Sequence, residues 1–225
     1  MAHFDGFSEA DFGDLEGSSW RNRESLGGML ARNLTERSKY AYRSWGVRRR
    51  LELHLAQERH YRSDDPRENA KLFVYTHTDL MFGFYVESPD RNDSEVARFR
   101  HFRQFRDRLI ASPVLQEHLF GAMNEYGLVL GNYYRETKPS EPGSPAFRLR
   151  EGRWERHESR ESPWRDVSQD DLLSYIQGLP GAEWMDLHVF GTIARPQAIA
   201  HGPHVADELL RPLTALLRVY EMVVA

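Results

Sequence analysis

No cysteine occurs in the chain, which excludes a disulfide framework, thiolate zinc ligation and a cysteine nucleophile, and makes a reducing cytoplasm the expected compartment. Long apolar runs are missing too: no stretch approaches the roughly 18 residues that a membrane span requires. The opening MAHFDGFSEADFGDLEG is acidic where a secretory signal would be basic, so a soluble intracellular protein is expected. Lysine is nearly absent. Of 30 basic residues only Lys39, Lys71 and Lys138 are lysine, and the rest are arginine. Arginine's planar fork suits bidentate recognition of carboxylate or phosphate, but a general bias toward arginine codons produces the same composition without that demand. The net charge of −4 argues against a molecule-wide field that gathers polyanions, although a local basic patch is compatible with it. Gly-rich phosphate loops, a GxSxG elbow and an HExxH zinc motif do not occur.

What is present suffices for one large core. Ser8 and Asp11 have capping-box spacing and predict a short helix over 9–15 within an otherwise irregular segment, 1–27. Helical spacing of Met29, Leu30, Leu34, Ala41 and Tyr42 predicts a helix over 28–43, interrupted by Gly46. Alternation of Leu51, Leu53 and Leu55 with Glu52 and His54 predicts a half-buried strand over 47–58. KLFVYTHTDLMFGFYVESP carries the strongest β pattern and predicts a hairpin turning at THTD, its nearly apolar arms central in a sheet and covered on both faces. Helices are expected over 94–109 and 113–125, a strand in YGLVLGNYYRET, and a proline-rich loop over 138–145. A polar edge hairpin around Glu151-Gly152, a helix capped by Ser168 and Asp171, a strand in EWMDLHVFGTI and a long helix over 203–222 kinked at Pro212 complete the reading. The expected fold is therefore α+β: one domain spanning 1–225, with a mostly antiparallel central sheet flanked by helices.

RFRHFRQFRDRL, residues 98–109, tests whether the arginines form a track for nucleic acid. At 100° per residue Phe99, Phe102, Phe105 and Leu109 gather on about a third of the helix circumference, which is a core stripe. Arg98, Arg100, Arg103, Arg106 and Arg108 fan out around it, whereas a phosphate-tracking helix would collect its charges on one side. Nucleic acid is therefore not the expected partner.

Three patches of sequence carry a family resemblance: FSEADF; LELHLAQERHYRSDDP, an apolar strand running into a basic, histidine-containing stretch and a proline; and the closing LHVFGTIARPQAIAHGPHVADELLRPLTALLRVYEM. Together they resemble the YktB-like family of uncharacterised bacterial proteins over about a third of the chain. The resemblance implies a compact α+β domain with a mostly antiparallel sheet, and no activity.

The polar residues first in line for a site are His54, Arg59, His60, Tyr61 and Arg62, joined by Tyr75, His77 and Glu87 from the hairpin. Pairing of the 47–58 strand with that hairpin would converge them at one end of the sheet, where arginine and tyrosine bind an anion and histidine moves a proton. The expected function is a non-catalytic binding or regulatory module for a small anionic ligand, such as a nucleotide, or for a protein segment. Sequence names no cofactor. Two further patterns suggest a metal-dependent phosphodiester hydrolase instead: Pro89-Asp90 with Glu136 and Lys138, and His201, His204 and Asp207 at intervals of three. Pro203 starts a helix after His201, so a polar helix entry accounts for the second pattern and no metal is expected there.

Overall fold

The structure is a computed structural model that describes residues 3–13, 20–47, 51–61, 70–87, 99–131, 145–158, 162–179 and 187–225. The expected elements at 94–98 and the proline-rich loop at 138–144 lie outside the described residues. The fold is α+β. One sheet of nine strands has the order β1-β2-β3-β4-β9-β5-β6-β7-β8. These are β1 (Tyr42–Val47), β2 (Glu52–Gln57), β3 (Lys71–Thr76), β4 (Leu80–Val86), β5 (Val129–Gly131), β6 (Ala146–Arg150), β7 (Arg153–His157), β8 (Arg165–Val167) and β9 (Leu187–Ile193). Every pairing with a described register is antiparallel. Six α-helices occur among the described residues: α1 (Trp20–Glu36), α2 (Arg100–Ala111), α3 (Pro113–Tyr126), α4 (Gln169–Gln177), α5 (Arg195–Ala200) and α6 (Val205–Val224). None is long and apolar enough to cross a membrane.

The chain divides into two compact units, each assembled from separated stretches. The first comprises Met1–Ser63, Lys71–Gly83 and Gly191–Leu217. Of the segment 1–27 expected to be irregular, residues 20–27 are helical; residues 3–13 are irregular apart from one 3-10 turn, yet belong to the core: Phe4, Phe7 and Phe12 are buried in an edge-to-face chain with centroids 5.2 and 5.5 Å apart. The Ser8 and Asp11 box is present, but it starts a single 3-10 turn, Glu9–Asp11, where a helix to residue 15 was predicted. Arg23 reaches from α1 to this turn and its Nη2 donates to the Asp11 carbonyl. Burial holds the Arg23 guanidinium below its ordinary value, and the Asp11 carboxylate acts in the opposite sense.

The predicted 28–43 helix is shifted: α1 begins at Trp20, ends at Glu36, and Tyr42 and Arg43 open β1, which runs through Gly46. Leu26, Leu30 and Leu34 bury the inner face of α1 against β1 and β2. Contact is close because Gly27 lacks a side chain. A Cβ there would lie 2.6 Å from Leu53 Cδ1 and 2.9 Å from Ser44 Oγ. Thr35 then redirects the chain, its hydroxyl donating to the Ala31 carbonyl (2.8 Å) and accepting from the Tyr42 backbone N–H (2.9 Å). The hairpin formed by β3 and β4 turns at 77–79, with β4 buried throughout and next to the central strand β9. The β2 strand departs from expectation: all six residues are buried, including Glu52 and His54.

The second unit comprises Asp64–Ala70, Phe84–Phe190 and Arg218–Ala225. Phe102, Phe105 and Leu109 of α2 are buried, each contributing about 1.5–3 kcal/mol of apolar transfer. The flanking arginines hold backbone carbonyls. Arg106 Nη1 donates to Leu179 O (2.9 Å), Arg108 Nη1 to Met222 O, and Arg100 Nη2 to Ala225 O (3.4 Å). Ser112 caps α3, whose C-terminus closes on Gly127 at φ 62°. The polar hairpin of β6 and β7 turns through Glu151 and Gly152, both at positive φ. Beyond it lies β8, which the sequence reading omitted because a three-residue strand has no detectable period. Trp164 stacks on His157 (4.3 Å) and carries the Arg148 guanidinium over its ring (4.1 Å). The reading also missed α5 of the first unit, one short turn-and-a-half led by Pro196. The C-terminal α6, whose residues through Leu217 belong to the first unit and from Arg218 to the second, continues through Pro212 and buries Leu209, Leu213, Leu216, Leu217, Tyr220 and Val224, the stripe expected from spacing.

Candidate ligand groove

The strand register decides which candidate residues meet. Trp45 lies opposite His54, His54 opposite Phe73, and Glu52 opposite Tyr75, so all five project from one face, away from α1. They form an aromatic row: Tyr61 meets Trp45 (5.6 Å between centroids), Trp45 meets His54 (5.4 Å), His54 meets Tyr75 (6.2 Å), and Tyr75 meets His77 (6.2 Å). Glu52 Oε2 is 3.1 Å from His54 Nε2, both side chains being interior. His54, Tyr61, Tyr75 and His77 are thus brought together. The others are placed elsewhere. His60 is buried on a 3-10 turn, Glu58–His60, and exposed Arg59 sets its guanidinium 5.9 Å from the Tyr40 ring. Half-buried Glu87 belongs to the second unit, and Arg62 lies outside the described residues. Because His54 and Tyr75 are buried, this row supports a wall. Its exposed end is Tyr61.

Tyr61 borders a groove of about 590 Å³ between α1 and β1, within the range of small-ligand and peptide sites. One helix face lines it, Gly28, Ala31, Arg32, Thr35 and Glu36, residues spaced by three and four. Opposite are Tyr42, Arg43 and Ser44 of β1, with Glu58 and Tyr61 at the end. The small residues give the groove its depth. Arg32 lies over Gly28, with Nη1 3.8 Å from where a Cβ would stand, and makes no hydrogen bond or ion pair among the described residues. Arg43 differs: its Nε (3.0 Å) and Nη2 (2.7 Å) donate to Glu58 Oε1, and that hydrogen bond raises its guanidinium above the ordinary value. The groove therefore offers one unpaired cation at Arg32, one carboxylate at Glu36, a neutralised pair and an exposed phenol.

Arg32, Glu36 and Arg43 were missed by sequence reading. The available signal was the run of small residues, Gly27, Gly28 and Ala31, beside the leucine stripe of α1. A second hollow of about 260 Å³ is lined by Arg156, Arg165 and Asp171, among others, but both arginines are already paired with Glu158. Among the described residues no three His, Asp or Glu side chains are placed to hold a metal. His201 ends α5, His204 lies in the 3-10 turn Gly202–His204, and Asp207 is in the first turn of α6, so their spacing is not that of one helix. Asp90, Glu136 and Lys138 lie outside the described residues.

Fold and groove together define an α+β protein with an open cleft along one end of its sheet. No protein-family model and no curated protein sequence matches the chain, so the YktB-like resemblance rests on its three sequence patches alone.

Proposed function

We propose that this protein is a non-catalytic binding module that takes an anionic ligand in the groove between α1 and β1. The observation that carries this reading is the unpaired Arg32 guanidinium, set over Gly28 inside a cleft large enough for a nucleotide or a few residues of peptide. Its fork donates to carboxylate or phosphate, Tyr61 supplies a flat surface, and the aromatic row behind Tyr61, buried at His54 and Tyr75, backs that end of the cleft. The site thus shifts from the 54–87 end of the sheet toward α1, retaining Tyr61. The cysteine-free composition supports a cytoplasmic location.

Thermal stabilisation in the presence of chelator tests the reading. ATP, GTP, inorganic phosphate and acidic peptides are added at saturation, where a hundredfold excess over Kd contributes about 2.7 kcal/mol. At least one should raise Tm by several degrees, and Arg32→Ala should abolish that rise while Arg103→Ala leaves it intact. No Arg32-dependent rise with any of them overturns the proposal. The hydrolase alternative, whose Asp90, Glu136 and Lys138 lie outside the described residues, would instead show activity lost to chelator and to Lys138→Ala.

A further inference from the structure

The groove's position says what kind of ligand it takes. Successive side chains of a strand point to opposite faces, and here Tyr42 and Ser44 from one face of β1 line the same cavity as Arg43 from the other. A cavity touching both faces runs along the strand's edge. That edge is open, because β1 is terminal in the sheet and pairs only with β2 among the described residues. Edge strands are normally blunted by lysine, proline, bulges or shortness. The opposite terminal strand follows this rule: β8 has three residues, and Arg165 and Asp166 are exposed. By contrast β1 has six residues, YRSWGV, with no lysine or proline, and its one charge is drawn back onto Glu58.

We infer that an extended protein segment occupies the groove by pairing with β1 as an added strand, presenting an acidic and a basic residue two positions apart to Arg32 and Glu36. This inference rests on the groove reading above and names its ligand. Spacing carries the charge pattern. Four residues along α1 separate Arg32 from Glu36 by a rise of about 6 Å, and alternate residues of a strand repeat every 6.4–6.8 Å, roughly the same interval. Both side chains are exposed and neither has a partner among the described residues. Gly28 and Ala31 leave the width that a backbone needs beside the helix, an arrangement in which main-chain hydrogen bonds supply affinity and side-chain pockets supply choice.

The test uses the full chain and a library of short Thr, Val, Ser and Tyr peptides carrying Glu-x-Lys or Lys-x-Glu, with ATP and phosphate in parallel. One charge order should bind about tenfold better than the other and slow amide hydrogen exchange across 42–47. N-methylation of alternate peptide nitrogens should abolish binding. The double variant Arg32→Glu with Glu36→Lys keeps a helix-compatible pair and should reverse the preferred order. Arg32-dependent binding of ATP or phosphate with no peptide-induced protection of 42–47 would leave the groove reading standing and remove strand addition. A concentration-dependent dimer protecting the same amides would replace the peptide with a second copy and overturn the inference. If no probe binds, both readings fall.

Discussion

The carboxylate of Asp171 accepts the Ser168 backbone N–H (2.7 Å) and hydroxyl (2.8 Å), closing a capping box at the start of α4. The backbone bond and then the hydroxyl bond hold its carboxyl below the usual range. A depressed folded-state value means stability that is present above the unfolded value and lost as pH falls through the folded one. Chemical denaturation should therefore find Asp171→Asn less stable than wild type at pH 7, with the gap closing below about pH 3.9. A gap independent of pH would mean that the carboxylate's charge is irrelevant to the cap. This motif was readable because its partners are three residues apart. Arg108 shows the opposite case: its acceptor, Met222, is 114 residues away, and no local pattern announces it.

At the level of elements, α1 and β1 show how two adjacent glycines take different roles. Gly27 faces Leu53 and Ser44 at distances no Cβ tolerates, whereas Gly28 faces the groove and only Arg32 is near it. Gly27→Ala should destabilise the fold by forcing α1 off the sheet. Gly28→Ala should stabilise it by up to about 1 kcal/mol through helix propensity. Urea denaturation of both variants checks this, and equal effects would contradict the packing described. The over-extended helix predicted to residue 43 has a related cause. Tyr42 fits the apolar spacing of a helix, but its N–H is taken by Thr35 and its neighbours by β2, a competition that spacing alone does not reveal.

For the molecule as a whole, several of the abundant arginines are engaged within the fold. Arg106 and Arg108 hold carbonyls, Arg148, Arg156 and Arg195 pair with carboxylates, and Arg23 is interior. With a net charge of −4 the protein should leave heparin at or below about 0.15 M salt, measured by elution on a salt gradient. Retention well above that concentration would contradict the reading. Each of the two units draws on stretches far apart in the chain. The strand order, with β9 inserted between β4 and β5, follows from those distant pairings.

The amino-acid pattern alone determined the α+β class, the β3–β4 hairpin, the phenylalanine face of α2, the capped start of α4 and the leucine face of α6. In each, the deciding interactions recur within a few residues, so period and capping chemistry suffice. Tertiary structure alone decided that Glu52 and His54 face the interior, that Tyr61 ends an aromatic row through Trp45, His54 and Tyr75, and that Arg32 shares a cleft with the terminal strand β1. Those outcomes depend on strand register and on how closely a glycine lets a helix approach a sheet, neither of which is written in any single segment.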